Sequence, residues 1–66
     1  MAQGVVKFFD NKKGFGFIVA DGKDHFVHYK EIKGEGYKTL TEGQHVEFDP
    51  MPGHKGTLAC NVVPVD

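Results

Sequence analysis

Through most of this chain, apolar residues recur at every second position. The runs are short and are broken by glycine, proline, asparagine or aspartate, which is the pattern of strands and tight turns. No window shows the three-and-four spacing of an amphipathic helix, and nine glycines and three prolines are spread through the 66 residues. The pattern predicts strand 1 over 4–10 with a turn at Asn11-Lys12, strand 2 over 14–20 and strand 3 over 23–29. One helical turn over 30–32 and a long loop over 33–43 follow. Strand 4 is expected over 44–49, a turn-rich loop over 50–56 and strand 5 over 57–63. Short strands with no helix to cover them leave unpaired edges, and closing into a small barrel removes those edges. The expected fold class is all-β, a five-stranded antiparallel barrel. Val6, Ile18, Val27, Val46, Phe48 and Val62 are its candidate core, with Ile32 plugging one end.

Asp21-Gly22, flanked by two alternating runs, is the strongest short-range signal for a two-residue hairpin turn. It sets Ala20 opposite Lys23, Phe17 opposite Phe26 and Phe15 opposite His28. All four rings then project from one face, and Ile18 and Val27 from the other. Both faces are apolar, and a small core takes only one of them. Rings in strands ordinarily belong to a core. This ring face, however, carries His28 and lies near Lys7 and Lys13, a poor lining for a dry interior. The aliphatic face is therefore assigned to the core and the rings to the exterior. Gly14 and Gly16 remove side chains beside and between the rings, which suits close approach of something to the backbone. A leftover apolar patch edged with positive charge marks an interaction surface, and flat rings beside ammonium groups suit stacking on unpaired bases.

Length and charge narrow the choice of partner. A chain this small forms one domain, 1–66, and buries about 60% of the surface its unfolded form exposes. It has little room for an enclosed substrate cavity, and no enzymatic activity is expected. No stretch reaches the roughly 20 apolar residues of a membrane span. The single cysteine, Cys60, cannot close an internal disulfide, which favours a reducing, cytoplasmic setting. Within Leu58-Ala59-Cys60 it reads as a small buried hydrophobe, with a reactive thiol as the other option. The formal charge of −1 argues against a duplex-DNA binder. Residues 1–38 carry seven lysines and five acids (+2), and residues 39–66 one lysine and four acids (−3). All eight basic residues are lysine, with no arginine to read guanine edges through a bidentate fork. Affinity must come largely from stacking, and sequence selectivity should be weak. Four histidines (His25, His28, His45, His54) raise the question of zinc. His25 and His28 point to opposite faces of one strand, and no paired-cysteine or paired-histidine spacing is present, so neither metal nor cofactor is expected.

The run Lys13-Gly14-Phe15-Gly16-Phe17-Ile18 fits the first ribonucleoprotein motif over six positions. In an RNA recognition motif this run lies after an earlier strand and a helix. Only twelve residues precede it here, and none look helical, so that reading fails. Taken with Gly4-Val5-Val6-Lys7-Phe8-Phe9-Asp10, Phe26-Val27-His28-Tyr29, Gly34-Glu35-Gly36-Tyr37-Lys38-Thr39-Leu40, Glu42-Gly43-Gln44 and Ala59-Cys60-Asn61-Val62, the chain resembles the bacterial cold-shock proteins over nearly its whole length. The resemblance implies an oligonucleotide-binding (OB-fold) barrel that binds single-stranded RNA and DNA. Family members act as RNA chaperones and, in some cases, as transcription antiterminators or regulators. Carried over by position, the stacking residues would be Phe8, Phe15, Phe17, Phe26, His28, Tyr29 and Tyr37. The polar contacts would be Lys7, Lys13, Asp24, Lys38 and Lys55. Phe8, Tyr29, Tyr37 and Asp24 come from the resemblance alone.

The chain also departs from the family pattern. Phe8 stands where tryptophan is usual, Asp10 where asparagine is common, and Thr57 where proline is usual after Gly56. His25 takes a normally aliphatic, inward-pointing position, and the connection between strands 2 and 3 is one residue shorter than in many members. These changes imply somewhat weaker binding and no change of function. A monomer is expected, with strand exchange through the 33–43 loop as the route to a dimer. The competing function is a protein-interaction module, since small barrels with aromatic grooves also take proline-rich peptides. The flanking lysines favour a phosphate-bearing ligand.

Overall fold

In the computed structural model, which describes residues 1–33, 39–53 and 56–65, five strands close into a barrel. They are β1 (Ala2–Asp10), β2 (Phe15–Ala20), β3 (Lys23–His28), β4 (His45–Gly53) and β5 (Gly56–Pro64), arranged in the order β1-β2-β3-β5-β4. A single 3-10 turn over Tyr29–Glu31 follows β3, with Ile32 just beyond it. The barrel is mixed and not wholly antiparallel: β3 and β5 run parallel through His25↔Thr57 and Phe26↔Leu58. A ring of five strands cannot alternate up and down all the way round, so closure forces at least one parallel seam. An isolated parallel bridge, Ile32↔Val62, and a Lys33 N–H to Val62 carbonyl bond of 2.7 Å extend that seam.

Asp21 and Gly22 adopt φ of 54° and 73°, the paired left-handed conformation of a type I′ turn. The β2–β3 register is the expected one: Ala20↔Lys23, Phe17↔Phe26 and Phe15↔His28. All six predicted core residues are at most 1% exposed, and Ile32 is buried beside them. Ala20, Leu40 and Ala59 complete the core, and Phe9 packs against it.

The second half of the chain departs from expectation. β4 and β5 form one long hairpin that runs out to Gly53↔Gly56, so residues 50–53 are strand where a loop was predicted. Proline lacks the ladder N–H, which is why Pro50 and Pro52 read as loop. They stand two apart, so the missing donors point the same way. β1 pairs with β4 no further than Ala2↔Phe48, which leaves that side of 50–53 without a described neighbour. A bulge opens between Glu47 and Asp49 opposite β5, where Asn61 takes φ 52° and donates from Nδ2 to the Asp49 carboxylate at 3.0 Å. Asparagine tolerates that left-handed conformation, and Val62 next to it turns fully inward.

His25 takes the inward position its place in the sequence implied. It is 6% exposed and lies against Phe48 with ring centroids 5.0 Å apart. Its Nε2 reaches the Ala20 carbonyl only at 3.4 Å, and its Nδ1 is buried without a partner among the described residues. A buried polar atom left unpaired costs about 1–3 kcal/mol. His25→Ile should therefore stabilise the fold by about 1 kcal/mol and raise the thermal midpoint by roughly 4–8 °C. A lower midpoint would contradict this account of the site.

Gly16 is equally constrained. A Cβ there would strike the Phe8 carbonyl oxygen and come within 2.7 Å of Phe9 Cα. The molecule approaching this glycine is therefore β1 of the same chain and not a ligand. Backbone cannot yield as a side-chain tip can, so Gly16→Ala should destabilise by about 2 kcal/mol or more in urea titration. An unchanged midpoint would contradict the packing described.

Candidate nucleic-acid interface

The outer face of β1, β2 and β3 carries a contiguous set of rings. Phe17 lies 5.5 Å from Phe8 and 5.7 Å from Phe26, centroid to centroid, and Phe26 lies 5.5 Å from Phe15 in a near-stacked pair. These separations are in the favourable range for aromatic pairs. Phe15, Phe17 and Phe26 are half-buried and Phe8 is 40% exposed, whereas Ile18 and Val27 on the opposite face are sealed in the core. The rings lie outward, as the hairpin register assigned them.

Phe8 reaches this face by a bulge. The β1–β2 register passes from Val6↔Ile18 to Phe8↔Phe17, so two β1 residues oppose one on β2. Val6 points inward, and Lys7 and Phe8 are both exposed. In an unbroken strand Phe8 would share the inward face of Val6. Period-two reasoning could not place it for that reason, and only the resemblance named it.

His28 and Tyr29 form a second ring pair, with centroids 4.6 Å apart. His28 lies opposite Phe15 and caps the 3-10 turn, its Nδ1 accepting from the Lys30 N–H at 3.3 Å. With Nδ1 accepting, the proton of the neutral ring sits on Nε2, which is then the donor atom of this side chain. Tyr29 lies on Gly14, where a Cβ would come within 2.7 Å of its Cδ1, so this glycine also accommodates the chain's own side chain. The Tyr29 N–H donates to the Gly14 carbonyl at 2.8 Å, which ties the second ring pair to the start of β2.

The polar residues have separate roles. Lys7 Nζ lies 3.1 Å from the Asp24 carboxylate, both side chains about half exposed, so these two predicted contacts pair with each other across β2. Such a pair is worth little to stability. It does share the charge of the lysine that precedes Phe8 in β1. Lys13 is exposed in the turn before β2. Asp10 builds that turn, its Oδ1 accepting from the N–H groups of Lys12 (2.9 Å) and Lys13 (3.1 Å). The predicted site residues Tyr37, Lys38 and Lys55 lie outside the described residues. Cys60 is half-buried, and partial burial, followed by the Glu31 and Asp49 carboxylates, pushes its thiol pKa up. That is the opposite of what activates a nucleophile. Among the described residues no cluster of three or more histidine, cysteine, aspartate or glutamate side chains could hold a metal ion. No described helix is long and apolar enough to cross a membrane.

Comparison with known proteins agrees with this geometry. The 'Cold-shock' DNA-binding domain family matches residues 2–65. The cold shock protein CspB of Bacillus caldolyticus is 55% identical over 64 residues, covering 96% of this chain and 97% of its own. CspD of Bacillus subtilis matches to the same extent, and the cold shock-like protein CspC of Escherichia coli is 55% identical over 65 residues, covering 96% and 94%. Among solved structures, Drosophila Unr CSD456 superposes with a TM-score of 0.80 at 19% identity, over 98% of this chain and 26% of that one, a likeness of fold. A five-stranded barrel with rings on its outer face, matched from end to end at this level of identity, belongs to the cold-shock domain family of non-enzymatic, nucleic-acid-binding proteins.

Proposed function

We propose that this chain binds single-stranded RNA and DNA with weak sequence selectivity, by stacking unpaired bases on Phe8, Phe15, Phe17, Phe26, His28 and Tyr29. Lys7, Lys13 and Asp24 supply polar contacts at the edges, and Tyr37, Lys38 and Lys55, which lie outside the described residues, belong to the same proposed set of contacts. The observation that carries this reading is the unbroken four-ring surface left outside a filled aliphatic core. Every base has a π-face, so a ring platform takes any sequence, and each stacked base is worth about 1–3 kcal/mol.

Bases can stack on the rings only when they are unpaired. Binding therefore draws folded RNA toward its open forms by mass action, in proportion to the free protein. We infer that the chain acts in this way as an RNA chaperone, and that opening of terminator hairpins in nascent transcripts would make it an antiterminator. One copy of the chain, working as a single domain and a monomer in the cytoplasm, suffices for this mechanism.

A labelled, unstructured RNA titrated by anisotropy, with its duplex and a proline-rich peptide as controls, tests the reading. The single strand should bind much more tightly than either control. Phe15→Ala and Phe17→Ala should each weaken binding by at least about tenfold while the fold survives, one lost stack being worth about 1–3 kcal/mol. A change below about twofold for both would overturn the proposal. Each lysine–phosphate contact adds about −0.7 to the log–log salt slope on single strands. With Lys7 already paired to Asp24, the slope should be shallow, and a steep slope would move the credit from stacking to charge.

A further inference from the structure

The outward row of side chains does not end at Phe26. Across the parallel seam Phe26 pairs with Leu58, and across the β4–β5 hairpin Leu58 pairs with Met51. Residues paired in register share a face. Phe8, Phe17, Phe26, Leu58 and Met51 therefore make one row that crosses all five strands. Leu58 is 37% exposed and Met51 48%, while Ala59, the alternate position, is buried in the core. The row has two ends and does not circle the barrel, because β1 and β4 pair only between Ala2↔Phe48 and Val5↔His45 and do not bring Phe8 to Met51.

Two local features decide what this apolar end can receive. A Cβ on Gly53 would come within 2.8 Å of Leu58 Cγ, so the leucine lies close over glycine backbone and is held in place. Pro50 and Pro52 flank Met51 and offer no N–H on the free side of β4, so an added peptide strand finds no donors at those positions. The surface on offer is side-chain surface, continuous with the rings through Phe26↔Leu58. Methionine beside it is unbranched and polarisable, and it adapts to flat partners of varied outline.

We propose that Leu58 and Met51 form an aliphatic subsite that holds one further nucleobase beyond the base on Phe26. The subsite rests on the single-strand reading above and lengthens its footprint across the β3–β5 seam. An aliphatic pair lacks the quadrupole of a ring, so it grips more weakly than Phe17 does and is equally indifferent to sequence.

The test is a length series of oligothymidines, from about four to nine nucleotides, bound to the wild type and to Leu58→Gln, Met51→Gln and the double variant. A homopolymer removes any question of polarity, and dividing variant by wild-type dissociation constants removes the statistical gain from sliding. Thermal midpoints close to wild type establish that the variants fold, and Met51→Gln stands in if a Leu58 variant melts early. The ratio should stay within about twofold for the shortest oligomers that bind, which the rings alone can hold, and rise to about threefold or more once the strand reaches the pair. A ratio that is flat with length, whether near one or raised throughout, overturns the subsite. A Phe17→Ala control that binds the whole series as tightly as wild type would instead overturn the ring platform, so the two failures are told apart.

Discussion

A barrel of five short strands encloses a small volume, and the β2–β3 hairpin brings it two apolar faces. Only one fits. Ile18 and Val27 enter with Val6, Val46, Val62 and Phe48, each at most 1% exposed, and the His25 ring packs against Phe48. Phe8, Phe9, Phe15, Phe17 and Phe26 each keep some exposure to solvent. The outer rings offset part of that exposure by packing on one another at 5.5–5.7 Å, which also holds them as one platform. The ring surface proposed to bind bases is therefore a consequence of how little the interior can hold.

The devices that maintain this sidedness lie in the backbone. A bulge at Lys7 turns Phe8 to the outside, and Gly16 lets β1 approach β2 closely enough for the bulge to form. Gly14 gives Tyr29 a place to lie at the edge of the same face. These elements are strands and a capped 3-10 turn, so the rings are positioned before any ligand arrives and little ordering is left to binding. Charge has a smaller part. Lys7, beside Phe8 in β1, is paired with Asp24, and the net charge is −1. On the proposed reading, stacking carries the affinity under these conditions, and long-range attraction contributes less.

Much of this was legible from residue order, for identifiable reasons. Asp21-Gly22 encodes a type I′ turn, and once that turn is placed, the pairings Phe17↔Phe26 and Phe15↔His28 follow by counting. The core residues followed from the same alternation. Three features were not legible. The Lys7 bulge shifts the alternation by one residue, and nothing in Val6-Lys7-Phe8-Phe9 marks it. Pro50 and Pro52 concealed the outer half of β4, because a proline is a strand breaker only where a neighbour needs its N–H. The parallel seam depends on strand order round the ring, which local patterns do not carry. Gly14 and Gly16 marked a close approach to the backbone without naming the partner, which is the chain itself. Leu58 read as an ordinary strand residue and Met51 as part of a loop until the seam set Leu58 beside Phe26 and the β4–β5 hairpin set Met51 beside Leu58.

The central claim is that the aliphatic face of one hairpin fills the barrel and its aromatic face receives bases. The most direct measurement is an NMR titration of side-chain signals with a short unstructured RNA. Ring resonances of Phe8, Phe15, Phe17 and Phe26 should shift strongly and show contacts to base protons, while the methyl signals of Ile18 and Val27 stay nearly still. Shifts confined to other surfaces, with these four rings unmoved at saturating RNA, would contradict the account.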